Sequence, residues 1–154
     1  MSVTLDLQSE VEGGPDEDDI RRWIEAVLET EAYTADVELT VRVVDEDEMA
    51  ALNTRYRHKS GPTNILSFPF EAPPGVELNL LGDLVIAAPV VKQEAREQGK
   101  TESAHWAHMI VHGTLHLLGY DHQESVEAED MEAREIRILK QLGYSNPYLL
   151  DEAS

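Results

Sequence analysis

The segment HGTLHLLGYDH, residues 112–122, contains three histidines whose spacing could hold one metal ion. In a helix, His112 and His116 lie one turn apart on the same face, about 6 Å apart along the axis. Both imidazoles could then reach one cation at zinc–nitrogen distances of about 2.0–2.1 Å. Gly119 can end the helix in a left-handed conformation, which would bring His122 back to the same cation. The spacing therefore predicts a three-histidine site for one zinc ion.

This site would leave one coordination position open for water, which is typical of catalytic rather than structural zinc. The pattern H-x-x-x-H-x-x-G-x-x-H has the ligand spacing of the metzincin proteases. Gly113 stands where those proteases carry the glutamate that takes the proton from water. Glycine cannot act as a base, so the sequence disfavours a peptidase. A bound metal could still lower the pKa of water toward about 7.

A metal is not the only interpretation of this region. The three histidines could instead be core residues with satisfied hydrogen bonds beside a tight turn. His105 and His108 are interpreted as packing residues or as outer support for the site, rather than as ligands. Asp121 could either orient a ligand histidine or cap the following helix, and the sequence does not favour one role over the other.

Length and composition limit the class of protein. The chain of 154 residues predicts one domain, residues 1–154, around a single core. Cysteine is absent, so any metal must be bound by histidine and carboxylate. No segment resembles a membrane span of about 20 apolar residues, and the N-terminus lacks the features of a signal peptide. We therefore expect a cytoplasmic protein that does not contact a membrane.

The net charge of −19 argues against nonspecific binding of polyanions. The acidic residues are distributed unevenly, however, and none occurs in residues 49–70 or 103–120. The first stretch contains Arg55, Arg57 and Lys59, and the second contains four histidines. A locally basic cleft could still bind an anionic substrate, because screening limits distant charges beyond a Debye length of about 8 Å. Alternatively, the two stretches are a buried strand and a buried helix that exclude acids.

Hydrophobic periodicity indicates which elements position these residues. The element order predicts an α+β (α/β-like) domain, with a sheet of about four strands covered by helices and the metal site at the end of a central helix. Asp45 and Thr101 are predicted to cap helices, and the strand order stays open. Strands are predicted at 3–8, 37–45, 63–70 and 81–88, and helices at 18–31, 45–57, 89–99, 101–118 and 124–142.

Four motifs occur in one collinear order between about residues 37 and 148. HGTLHLLGYDH matches H-G-x-L-H-L-x-G-Y-D-H, and LGDLVI is similar to G-D-I-x-I. LNTRYRHKSGPTNILSFPF is similar to L-N-x-x-(Y/F)-R-x-x-x-x-x-T-(D/N)-V-L-S-F-P, and MEAREIRILKQLGYSNPY to M-x-x-x-E-x-x-I-L-x-x-L-G-x-x-x-P-Y. With these motifs the chain resembles the YbeY family of bacterial metal-dependent endoribonucleases, which act in ribosomal RNA maturation. Asn64 and Ile65 depart from the aspartate and valine that are common in the family.

The resemblance implies one zinc ion bound by His112, His116 and His122, and Arg57 as the functional basic residue of the cleft. It implies a single domain with a small mixed sheet. It also implies a single-strand-specific endoribonuclease that processes the 3′ end of small-subunit ribosomal RNA and acts in ribosome quality control. The expected partners are RNA, the small ribosomal subunit and assembly factors, with no specificity for DNA.

The basic residues and the function both have alternatives. Arg57 could be a surface arginine at a helix end, and Arg55 and Lys59 either attract phosphate or are simply solvated. Tyr56 and Phe68 could stack on bases, although packing is favoured. Instead of an enzyme, the protein could be an RNA- or ribosome-binding assembly factor with a mainly structural metal. A metzincin-like peptidase is the third hypothesis, which Gly113 disfavours.

Overall fold

The computed structural model describes residues 2–58, 61, 63–71, 73–75, 79–120 and 125–148. In this part of the chain, four strands and five helices follow one another in the predicted order, and each boundary lies within two residues of the predicted one. The elements are β1 (Val3–Ser9), α1 (Glu17–Thr30), β2 (Val37–Val44), α2 (Glu46–Arg57), β3 (Ile65–Pro69), β4 (Leu80–Ala87), α3 (Ala88–Glu97), α4 (Glu102–Leu117) and α5 (Ser125–Gln141).

The four strands form one mixed sheet in the order β1-β2-β4-β3. β1 and β4 both pair with β2 in parallel, whereas β3 pairs with β4 antiparallel, with Ile65 opposite Ile86. β4 is therefore an inner strand, which explains why its side chains, apart from the exposed Asp83, are apolar on both faces. The predicted α+β class and the mixed sheet are confirmed, and the sheet supplies the strand order that the sequence left open.

Gly82, in the middle of the LGDLVI motif, is required where β4 meets the edge strand. Its φ is +138°, a conformation that favours glycine. A Cβ at this position would lie 2.2 Å from the backbone oxygen of Phe68. The motif therefore contains glycine because any side chain at this position would collide with the backbone of the paired strand β3.

Side-chain caps begin the helices as the sequence predicts. The Asp45 carboxylate accepts a hydrogen bond of 2.8 Å from the Glu48 amide at the start of α2. The Thr101 hydroxyl accepts one of 3.1 Å from the Ala104 amide at the start of α4. Both predicted caps are confirmed, and each satisfies an amide that has no partner within the helix.

The main core lies between the sheet and the helices α1, α4 and α5. α4 is the central helix and is buried along most of its length, as its high apolar content favours. A smaller core lies on the opposite face of the sheet, under α2, and consists of Val44, Met49, Leu66, Val85 and Ala87. None of the described helices is long and apolar enough to cross a bilayer.

Candidate active site

His112 and His116 lie side by side on the last two turns of α4. Their Nε2 atoms are 3.1 Å apart, and their ring centroids are 4.6 Å apart. A tetrahedral cation with bonds of about 2.0–2.1 Å holds its ligand nitrogens about 3.3 Å apart. The pair therefore has a separation that suits two ligands of one cation.

The turn after α4 is a Schellman motif, in which amides beyond the helix bond back to its last carbonyls. The Gly119 amide donates to His116 O over 3.0 Å, and the Tyr120 amide donates to Leu115 O over 3.1 Å. Gly119 has a φ of +105°, so the predicted glycine stop is confirmed. His122, which is the third predicted ligand, lies outside the described residues, and so does Asp121.

Contacts with α1 and α5 anchor the chain as it leaves this turn. The Tyr120 hydroxyl donates to Glu31 Oε1, and this hydrogen bond raises the pKa of the Tyr120 phenol. Arg134 of α5 donates to both oxygens of the same carboxylate, at 2.7 and 2.9 Å, and its guanidinium lies 4.5 Å from the centre of the Tyr120 ring. These contacts therefore hold Tyr120 in place at the end of the turn.

A buried carboxylate lies behind the histidine pair. Glu135 of α5 is fully buried, and its Oε1 bonds His112 Nδ1 while its Oε2 accepts a hydrogen bond from the Tyr148 hydroxyl. Burial alone would raise the pKa of Glu135, but His108, His112 and Tyr148 outweigh it and lower the pKa to about 2. The carboxylate is therefore ionised at neutral pH and can only accept hydrogen bonds.

The sequence contains one signal that points to Glu135. Glu135 lies on the buried face of α5, in line with Met131, Ile138 and Leu139. A charged side chain in such an apolar stripe is rarely buried unless it has partners. That exception to the helical pattern indicates a polar partner on the facing helix, which the structure identifies as His112.

The polar partners of His105 and His108 are residues other than His112 and His116. His108 Nε2 lies 3.2 Å from the Tyr148 hydroxyl and 3.6 Å from Glu135 Oε2. Desolvation lowers the pKa of His108, which keeps its ring neutral. His105 Nε2 instead contacts Glu94 Oε1 of α3 at 2.9 Å. His108 therefore belongs to the support behind His112, and His105 joins α4 to α3.

Packing against the sheet explains why residue 113 is a glycine. A Cβ on Gly113 would lie 2.7 Å from Ile65 Cδ1 and 2.8 Å from Leu84 Cδ2. Both distances are far below ordinary carbon–carbon contacts of about 3.5–4.0 Å. A side chain at this position would point into the sheet between β3 and β4. The position used for the protease glutamate is therefore not available in this fold.

The predicted basic residues lie at the end of α2, and both Arg55 and Arg57 are exposed. The Arg55 guanidinium lies 5.4 Å from the centre of the Tyr56 ring, which packs edge-on against Phe68 of β3 at 5.3 Å. Contacts among the described residues do not join Arg57 to either histidine. Lys59 lies outside the described part of the chain.

Asn64 departs from the aspartate of the related motif because its amide faces a carboxylate. Its Nδ2 donates to both oxygens of Glu94, at 3.1 and 3.3 Å, and its Oδ1 accepts from the Ile65 amide at 2.7 Å. Burial opposes the charge of Glu94, but hydrogen bonds from His105 and Asn64 outweigh it and lower the pKa of the Glu94 carboxyl. Asparagine therefore satisfies a donor requirement that aspartate cannot meet.

We expect Asn64→Asp to lower the free energy of unfolding by about 1–3 kcal/mol at neutral pH, because two carboxylates would then face each other. The new contact raises the pKa of the introduced aspartate, so its cost is present at neutral pH and fades as the pH falls to about 4. Urea unfolding at neutral pH and at about pH 4 measures the free energy of unfolding of both proteins. The double variant with Glu94→Gln removes the repulsion, and an equal loss in both backgrounds would contradict the prediction.

Comparison with known proteins agrees with the motifs. The family model described as Endoribonuclease YbeY matches residues 6–143. The chain belongs to the YbeY endoribonuclease family. A YbeY relative from Alteromonas mediterranea, named Endoribonuclease YbeY, is 54% identical over 159 residues, covering 99% of this chain and 100% of the relative. The resemblance read from the sequence is thereby confirmed.

The fold is also found in a solved structure. The solution structure of TM1509 from Thermotoga maritima superposes with a TM-score of 0.60, covering 98% of this chain and 99% of that chain. At 24% identity the two sequences have diverged widely, so this likeness concerns the fold. In this YbeY member, α4 and α5 are the elements that bring His112, His116 and Glu135 together.

Proposed function

We propose that this protein is a zinc-dependent endoribonuclease that cleaves single-stranded RNA. The observation that carries the proposal is the His112–His116 pair, with Nε2 atoms 3.1 Å apart, in a chain of the YbeY family. The proposed role is maturation of the 3′ end of small-subunit ribosomal RNA and ribosome quality control. The small ribosomal subunit and assembly factors would be its partners in the cytoplasm.

The donor set of the site fits zinc. His112 and His116 would bind one ion together with His122, and zinc accepts imidazole nitrogen readily. Glu135 accepts from His112 Nδ1, which puts the Nε2 lone pair of His112 on the side that faces His116. Bound zinc would supply electrostatic stabilisation for charge on a phosphoryl oxygen.

Arg57 would bind the scissile phosphate. Its planar guanidinium presents paired donors that match phosphate oxygens. It lies in the last turn of α2 and is exposed to solvent. Arg55 and Lys59 would add general attraction for the RNA backbone, which a chain of net charge −19 otherwise repels.

Replacement of Arg57 by alanine is expected to lower kcat/KM for RNA about 100-fold, because one charged donor to the transition state is lost. Arg55→Ala is the matched control on the same helical turn, and we expect it to raise KM slightly with little change in kcat. Steady-state cleavage of a labelled oligoribonucleotide measures both. Equal effects of the two substitutions would mean that Arg57 acts only through net charge.

Cleavage assays on three substrates test the proposal as a whole. We expect the zinc-loaded protein to cut single-stranded RNA, to lose this activity with a chelator, and to regain it with zinc. An RNA duplex and a DNA strand of the same sequence should remain intact, and so should casein. The 3′ ends of the products identify the nucleophile, since a 2′,3′-cyclic phosphate requires attack by the 2′-hydroxyl. Intact RNA after incubation with fully zinc-loaded protein would contradict the proposal.

A further inference from the structure

The segment after α5 folds back onto α4 and brings a tyrosine to the rear of the site. The Tyr144 hydroxyl pairs with the Ser103 hydroxyl at 2.9 Å, near the start of α4. Further along, the Tyr148 amide donates to Asn146 Oδ1 over 2.8 Å, which closes a local turn. The Tyr148 ring then packs against His108, with ring centroids 5.2 Å apart. The segment is thus held at two points on α4.

The two oxygens of Glu135 have different partners. Oε1 bonds His112 Nδ1, and Oε2 accepts from the Tyr148 hydroxyl. Burial and the neighbouring Glu135 raise the pKa of the Tyr148 phenol, so the hydroxyl remains a donor. With one oxygen held by Tyr148, the carboxylate plane cannot turn without breaking a buried hydrogen bond.

This arrangement determines the tautomer of His112. A carboxylate oxygen of Glu135 faces Nδ1 at hydrogen-bond distance while the other oxygen accepts from Tyr148, so we infer that a neutral His112 ring has its proton on Nδ1. The lone pair is then on Nε2, the atom that lies 3.1 Å from Nε2 of His116. In the opposite tautomer, Nδ1 would set a lone pair against a buried carboxylate, which is strongly unfavourable.

We propose that Glu135 and Tyr148 are positioning residues of the active site, in which Tyr148 holds the carboxylate and the carboxylate holds His112 with its Nε2 lone pair toward His116. The consequence for metal binding rests on the proposed function, whereas the tautomer does not. The segment 142–148, remote in sequence from the histidines, is therefore part of the active site.

Two variants and one matched control test this. Tyr148→Phe removes the hydroxyl and keeps the ring that packs on His108, and Glu135→Gln keeps the shape of the side chain and removes its charge. Tyr144→Phe is the control, because it removes the hydroxyl of a tyrosine in the same segment whose hydroxyl pairs with Ser103. Circular dichroism and thermal unfolding check that each variant folds.

The first measurement is the ring ¹⁵N shift of His112 in metal-free protein in mildly alkaline solution. We expect an Nδ1–H ring in the parent and in Tyr144→Phe. In Tyr148→Phe the carboxylate is free to turn away from Nδ1, and in Glu135→Gln the amide can present its oxygen or its NH2 group to the ring, so we expect a mixture of tautomers in both. The second is zinc affinity by chelator competition. We expect Kd to rise about 10–100-fold in Tyr148→Phe and Glu135→Gln, as for other outer partners of metal ligands, and not to change in the control.

The outcomes separate this proposal from the function it rests on. If His112 has the same tautomer in the folded Tyr148→Phe variant as in the control, the positioning role of Tyr148 is wrong, whatever the protein binds. If the parent shows the Nδ1–H ring but binds no zinc, the positioning geometry stands and the proposed metal site fails. If the Glu135→Gln variant does not fold, the Tyr148→Phe variant by itself tests the positioning role.

Discussion

Replacement of His116 by alanine is expected to reduce RNA cleavage at least 100-fold while the protein stays folded. His116 is only partly buried, at the end of α4, so the loss of its ring leaves the core intact. If His116 is one of three zinc ligands as proposed, its removal should release the metal. Transition-state stabilisation would then fall by several kcal/mol, and each 1.36 kcal/mol is worth about tenfold in rate. Single-turnover cleavage and zinc stoichiometry on the same sample measure the two effects.

The control for this substitution is His105→Gln. His105 is on the same helix but contacts Glu94 rather than the pair, and glutamine can still donate to that carboxylate. We expect the control to bind zinc and cleave RNA like the parent. A folded His116→Ala variant that cleaves RNA as fast as the parent would exclude metal catalysis.

Introduction of the protease glutamate, Gly113→Glu, is expected to leave little folded protein. The new side chain would enter the contact between α4 and the sheet, where a Cβ alone lies 2.7 Å from Ile65 and 2.8 Å from Leu84. Overpacking costs about 1–3 kcal/mol, and burial of an unpaired carboxylate costs several more. The sum is comparable with the whole stability of a domain of this size, about 5–15 kcal/mol.

Three further variants separate the steric cost from the charge. Gly113→Ala should cost about 1 kcal/mol, because overpacking of about 1–3 kcal/mol is offset by a gain of about 1 kcal/mol in helix propensity. Combined with Gly113→Ala, Ile65→Val removes the Cδ1 atom of the closest contact and should recover part of the lost free energy of unfolding. Gly14→Glu places the same charge at an exposed glycine with ordinary contacts and should be nearly neutral. Urea unfolding measures each change.

Stability of Gly113→Glu within 1 kcal/mol of the parent would show that residue 113 does not pack against the sheet. A general base could then exist at that position, and the peptidase hypothesis would regain support. With the packing as observed, the absence of the glutamate follows from how closely the central helix approaches β3 and β4. The glycine at position 113 therefore reflects the packing of the fold as well as the chemistry of the site.

Local features of this protein follow from the sequence because short-range interactions determine them. Only residues within one or two helical turns determine the hydrophobic period, the caps at Asp45 and Thr101, and the glycine stop at Gly119. The His112–His116 pair belongs to the same class, since residues four apart on a helix always share a face. The family could be recognised for the same reason, as its signature is a contiguous stretch.

Only the tertiary structure decided which distant groups meet. Glu135 lies 23 residues from His112 and Glu94 lies 30 residues from Asn64, and each contact exists because helices and strands pack in one particular arrangement. The strand order β1-β2-β4-β3 and the close approach of α4 at Gly113 have the same origin. Such contacts depend on the shapes of surfaces formed by the whole chain, and no local pattern encodes their pairing. The sequence by itself thus determined the histidine pair and its helix, and the packing of α4 and α5 determined how that pair is held.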